Sequence, residues 1–159
     1  MSIHVGDRIP VAVLSQMSER GPQPVSTTDY FAGRKVVLFS VPGAFTPTCS
    51  AYHLPGFIEN RSDFSKKGID AVACMAVNDV FVMHAWGKNT KADGIDMLAD
   101  GDADFAVALG LEKDSSAFGM GMRSQRFALV ADDGIVTQLM VEAPGEFRVS
   151  SAESVLAVL

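Results

Sequence analysis

Cysteine is scarce in this 159-residue chain: there are two, Cys49 and Cys74. Two cysteines do not make a disulfide framework, so a reducing compartment is expected. Basic residues are few, 13 Lys and Arg against 19 Asp and Glu, for a net charge of −6. That balance argues against nucleic acid, which needs clustered cations. No apolar run approaches the ~20 residues that span a bilayer. The start, Met1-Ser2-Ile3-His4-Val5-Gly6-Asp7, has no basic region and no apolar region of a secretory signal. A cytoplasmic protein is therefore expected. The three histidines and two cysteines show no metal-ligand spacing. No cofactor, repeat, linker or low-complexity tract is indicated, and a single domain over 1–159 is expected.

The chain is organised around Val41-Pro42-Gly43-Ala44-Phe45-Thr46-Pro47-Thr48-Cys49-Ser50. The apolar run Lys35 to Val41 leads into it and reads as a buried strand. Pro42 and Gly43 stop that strand. Thr46 reads as an N-cap and Pro47 as the first helical residue, where a missing N–H costs nothing. Cys49 then falls in the first helical turn. Free N–H groups and the positive end of the macrodipole both favour a thiolate there.

Elsewhere the pattern alternates. Val11 to Leu14 is a strand candidate, with turns at Gly6-Asp7 and Gly21-Pro22. Ser26 to Phe31 suggests one helical turn. The Cys49 helix is expected to reach about Lys67, with Gly68 at C′ and a kink or restart at Leu54-Pro55. Ile69 to Val77 is a second buried strand. Asn78-Asp79 caps a helix over Val80 to Lys88, with Phe81, Val82, Ala85 and Trp86 inward. Met97 to Ala99 is a short strand, and 105–111 a short helix. Lys113 to Gly121 reads as a loop. Gln125 to Ala131 and Ile135 to Val141 form a hairpin about Asp132-Asp133-Gly134. Ala152 to Leu159 is a closing helix. The reading is α/β, with a mixed sheet flanked by helices.

The motif Pro42-x-x-x-Thr46-x-x-Cys49 resembles the peroxidatic motif of the peroxiredoxins. With His53-Leu54-Pro55-Gly56-Phe57 after it, it is similar to the peroxiredoxin-5 (type II, atypical) subfamily. The likeness continues through Val77-Asn78-Asp79, Phe81-Val82-Met83, Ala85-Trp86, Leu98 to Gly101, Arg123-Ser124, Arg126-Phe127 and Ser150 to Glu153. It implies a thioredoxin-like fold and a thiol peroxidase acting on hydrogen peroxide and organic hydroperoxides. It further implies that Cys49 attacks the peroxide, Thr46 and backbone N–H groups near Thr48 and Cys49 orient it, Arg126 adds positive charge, and Pro42 shields the site. Arg126 fits the family's arginine better than Arg123, which reads as a surface or loop partner. Cys74 reads as core filler. His53 reads first as a structural hydrogen-bonding group, with orientation of the sulfur's surroundings as the alternative.

No cysteine stands near Ser150-Ser151, where some subfamily members carry a resolving one. A bridge to Cys74 would need Cα atoms within roughly 7 Å. A one-cysteine cycle is expected, with glutathione and glutaredoxin as reductant by resemblance and thioredoxin second. The resemblance further implies a homodimer through the face around the active site, with Phe45, Phe81, Leu111 and Met120 as apolar candidates for that patch. Two other readings stand beside this one. A thiol–disulfide oxidoreductase is disfavoured because Thr46 stands where a Cys-x-x-Cys motif has its first cysteine. A peroxide-responsive binding or chaperone module would assemble without turnover.

Overall fold

A computed structural model describes residues 2–159. The first elements are a hairpin, β1 (Val13–Ser18) and β2 (Gly21–Ser26), and the short helix α1 (Thr27–Phe31). β1 starts later than the apolar run Val11 to Leu14 suggested, and Gly21 opens β2 instead of making the turn. Pro22 and Pro24 hid that strand from a sequence reading, because proline breaks central strands. Here they sit at alternate positions of a strand at the edge of the sheet. The ladder to β1 runs over all six residues, so the missing N–H groups fall on the outer side.

β3 (Lys35–Ser40), β4 (Ala71–Ala76) and β5 (Ile95–Ala99) run parallel; β8 (Phe127–Asp132) and β9 (Ile135–Val141) return antiparallel. The seven-stranded order is β2-β1-β5-β4-β3-β8-β9. This is the mixed sheet that alternating strands and helices implied. The 113–121 segment is more than a loop. It contributes β6 (Glu112–Asp114), a 3-10 turn at Ser116–Phe118, and leads into β7 (Met122–Ser124), a separate two-stranded ribbon with β6.

Strand alternation divides the core. Val37, Phe39, Cys74, Ala128 and Val130 face one side, under α2 (Leu54–Glu59), α3 (Arg61–Lys66), α4 (Val80–Thr90) and α6 (Ala152–Leu156). Val36, Leu38, Ala73, Met75 and Leu129 face the other, against α1 and α5 (Asp104–Leu109). Phe39 stacks on Phe57 at 3.9 Å between centroids, and Phe57 on Phe64 at 5.4 Å. Each such buried ring contributes about 1.5–3 kcal/mol of transfer energy.

Antiparallel pairing sets the site. Ser40 at the end of β3 lies opposite Phe127 at the start of β8, and Phe127 lies opposite Val141 at the end of β9. Arg126 and Glu142, the next residues outward, and Pro42, two beyond Ser40, therefore gather at one end of the sheet.

α4 differs from the expected face. Val80, Met83 and Trp86 are buried, while Phe81 is 64% exposed and Ala85 is exposed. The chain enters this helix from β4 with Val80 already packed, and positions three apart then follow it inward. The Asp79 carboxylate accepts the Val82 N–H at 2.8 Å, the cap expected from Asn78-Asp79. Asp79→Ala should cost about 1 kcal/mol, lowering the thermal midpoint by about 2–4 °C. Calorimetry would check this; an unchanged midpoint would mean the cap adds nothing.

Candidate active site

The helical stretch after β3 begins at Pro47, so Cys49 is its third residue, as expected. It opens α-helically at 47–48 and does not continue so. Cys49–His53 is π-helical, and the Leu54 N–H reaches back to the Cys49 carbonyl. The cause is one residue further on: Pro55 has no N–H to continue an α ladder. The wider turn lets α2 restart with Pro55 in its first turn, the restart that Leu54-Pro55 predicted. A second break, unexpected, comes at Asn60 (φ −99°, ψ 13°). Its side-chain amide donates to the Gly56 carbonyl at 2.7 Å, which competes with helix continuation. Gly68 follows α3 with φ +83°, as a C′ glycine should.

Thr46 caps with its backbone only. Its carbonyl accepts the Ser50 N–H at 2.9 Å. Its hydroxyl donates to the Gly43 carbonyl at 2.7 Å instead of accepting from the helix. Both oxygen lone pairs of the hydroxyl are left to accept from another donor. Gly43 is required by close approach: a Cβ there would lie 3.0 Å from Arg123 Nη1 and 3.3 Å from Thr46 Cγ2.

Cys49 is fully buried. Arg126 Nη2 lies 3.1 Å from its sulfur, and Arg126 Nη1 lies 2.8 Å from His53 Nδ1. A guanidinium only donates, so Nδ1 carries the lone pair. The proton is on Nε2, which donates to the Ser150 carbonyl at 2.9 Å. His53 is thus both things the sequence left open: a structural bond to Ser150 and a partner of the group that touches the sulfur. Burial pushes its pKa down to about 3 from 6.5, and the Arg126 charge pushes the same way. The ring stays neutral and its tautomer stays fixed.

Arg123 turns the other way. Its Nε donates to the Met120 carbonyl at 2.8 Å and its Nη1 to the Pro42 carbonyl at 3.3 Å. It is a loop partner, tied to the proline segment rather than to the sulfur. Ser50, one residue past the cysteine, accepts the Trp86 indole N–H at 3.0 Å. Phe45 sits at φ +64° and is 50% exposed, a strained placement for an aromatic residue beside a site. Leu111 does not belong to the expected apolar patch: it is 3% exposed and packs in the core.

Cys74 stands in β4 opposite Phe39 and is completely buried. Burial pushes its thiol well up, proximity of Cys49 adds to this, and Arg126 opposes it. It is packed as core filler, the place its position between Ala73 and Met75 suggested, with its thiolate disfavoured. A cleft of about 330 Å³ opens over the site. Pro42, Thr48, Lys113, Gln125, Arg126 and Glu142 are among its walls. A buried sulfur next to a fixed cation, under a cleft, can attack an electrophile small enough to reach it.

The comparisons with known proteins agree with this geometry. The Redoxin family model matches residues 4–156. Peroxiredoxin-2B of Arabidopsis thaliana is 48% identical over 159 residues, covering 99% of this chain and 98% of that protein. The chain belongs to the peroxiredoxins. The crystal structure of reduced Prx3 from Vibrio vulnificus in complex with hydrogen peroxide superposes with a TM-score of 0.96 at 53% identity, covering 98% of both chains. Peroxiredoxin 5 from Alvinella pompejana gives 0.85 at 38% identity, over 98% of this chain and 96% of that one. The thioredoxin-like peroxiredoxin fold expected from the motif is therefore present, and this peroxiredoxin is a thiol peroxidase.

His53 generates a pH prediction. Its folded pKa lies below the unfolded value, so between 6.5 and about 3 the unfolded chain holds the extra proton. Stability carried by the neutral ring is complete above 6.5 and is lost as pH falls toward 3. His53→Gln keeps a donor for Ser150 and an acceptor for Arg126 but does not titrate. Urea unfolding across this range should show a shallower acid limb for His53→Gln than for wild type. Parallel limbs would show that His53 is not the group responsible.

Proposed function

We propose that Cys49 is the peroxidatic nucleophile, with Arg126, Thr46 and Pro42 as its partners. We further propose that the cycle uses this one cysteine and is closed by glutathione with glutaredoxin. The observation that carries the reading is the 3.1 Å contact of Arg126 with the Cys49 sulfur. A thiolate is the reactive form of cysteine, and a guanidinium beside it favours the anion. The thiolate attacks the terminal peroxide oxygen. An S–O bond forms, the O–O bond breaks, and the sulfur is oxidised to a sulfenic acid. The departing oxygen takes up negative charge and then a proton, leaving as water or an alcohol. Arg126 and N–H groups at the start of the helix supply positive ends where that charge develops. The Thr46 hydroxyl, already donating to Gly43, is set to accept a hydrogen bond from the incoming hydroperoxide. Pro42, on the cleft wall, offers no N–H and limits water.

A first glutathione thiol then condenses with the sulfenic acid, releasing water and leaving a mixed disulfide. A second thiol displaces Cys49 and carries away the disulfide. Cys74 supports this route by its burial in β4, away from any incoming thiol. A homodimer through the face of Phe45 and Phe81 belongs to the same reading. Both rings are exposed, and the Phe45 ring lies 6.4 Å from Trp86 on the helix that carries Phe81.

Intact mass after one equivalent of hydrogen peroxide tests the cycle. Wild type and Cys74→Ser should each gain one oxygen, and Cys49→Ser should not. A loss of two hydrogens that requires Cys74 would overturn the one-cysteine route. Thr46→Val should slow peroxide reduction by about 10²-fold, measured by stopped flow. A rate within twofold of wild type would remove Thr46 from the site.

A further inference from the structure

One buried carboxylate near the site has no part in the steps above. Glu142 is 6% exposed. Its Oε1 accepts from the Arg148 N–H at 2.9 Å. Its Oε2 accepts from the N–H groups of Arg148 (2.9 Å), Val149 (2.8 Å) and Ser150 (2.8 Å), and from the Ser150 hydroxyl (2.7 Å). Burial raises its pKa, but these donors, led by the Arg148 N–H, overcome that and hold it below the ordinary value. Three successive N–H groups converging on one point form an anion nest. A carboxylate accepts with both oxygens; a glutamine amide can put its one oxygen at the Oε2 position but then presses its NH₂ against the Arg148 N–H.

The segment wrapped around this carboxylate, 142–150, contains no helix or strand. It nonetheless supplies two contacts to the site. The Ser150 carbonyl accepts the His53 Nε2 proton. The Phe147 ring lies 4.9 Å from the His53 ring and 5.7 Å from the Arg126 guanidinium carbon. Glu142 also donates its own N–H to the Arg126 carbonyl at 3.0 Å. Its side chain and its backbone thus both lead to Arg126, by different paths.

We propose that Glu142 is a positioning residue for the peroxidase reaction. It folds the 148–150 segment, so that the Ser150 carbonyl holds the His53 ring and His53 Nδ1 aims Arg126 at the Cys49 sulfur. The inference rests on Cys49 and Arg126 carrying the chemistry. A guanidinium with five donors finds many acceptors. What keeps one nitrogen on the sulfur is a second acceptor at a fixed place, and that acceptor is only as fixed as the loop behind it.

The experiment is ultraviolet titration of the Cys49 thiolate in the full chain, together with the peroxide rate near neutral pH. The variants are Glu142→Gln, Ser150→Ala, His53→Ala, His53→Gln, Arg126→Ala and the double variant Glu142→Gln/His53→Ala. Glu142→Gln should move the titration to higher pH and slow peroxide reduction about tenfold. His53→Ala should do the same, and His53→Gln should restore most of the loss. The double variant should match His53→Ala within about twofold, because both changes act along one path. Ser150→Ala removes a single bond from the carboxylate and should shift the titration less, in the same direction. It keeps the test decisive if Glu142→Gln does not fold. The proposal is overturned if folded Glu142→Gln or Ser150→Ala titrates as wild type, or if the two losses multiply in the double variant. If Arg126→Ala leaves the titration unchanged, the reading of the site itself fails, and the proposal with it.

Discussion

The guanidinium of Arg126, held between the Cys49 sulfur and the His53 ring, is the contact on which the site turns. Interiors disfavour isolated charge, and this one is set against two fully buried groups, Cys49 and His53. A cation placed there must be met by groups that only accept, in fixed directions. The sulfur is one and the neutral imidazole the other. A protonated His53 would meet Arg126 with a donor and break the arrangement, so the low pKa of the ring, set first by burial and then by the Arg126 charge, is a condition of the geometry.

The sheet delivers these groups without any long-range adjustment. β3 ends, β8 begins and β9 ends at the same edge of the core, and each contributes a residue within two positions of its last ladder pair. The helix that bears Cys49 crosses back over that edge. Cys49 and His53 stand four apart in its π-helical turn and are both buried, a spacing that puts two residues on one helix face.

Much of this was legible in residue order. The strand–loop–helix at 35–49 could be read because propensity, proline placement and apolar run all agree there. Arg126 was separated from Arg123 only through likeness to a family, since charge and spacing treat the two alike. The misses have physical reasons. β2 was invisible because its prolines are tolerated at an edge, a fact of topology rather than of composition. Phe81 looked like core because it is apolar, yet helix phase is set by how α4 leaves β4. Leu111 sat beside a polar loop in the sequence but lies under α5 in space. Glu142 carried no signal, because its partners are main-chain N–H groups. A glutamate that binds backbone reads the same as one in solvent.

The two prolines of β2 have a consequence for the chain as it is made. The β1–β2 hairpin emerges before β5 exists to cover the inner edge of β1, and among the described residues its outer edge pairs with no later strand. An open strand edge invites pairing with any other extended chain. Pro22 and Pro24 remove donors from that outer edge and leave the ladder to β1 intact. The nascent protein is therefore guarded against edge-to-edge aggregation on the side the finished fold never closes.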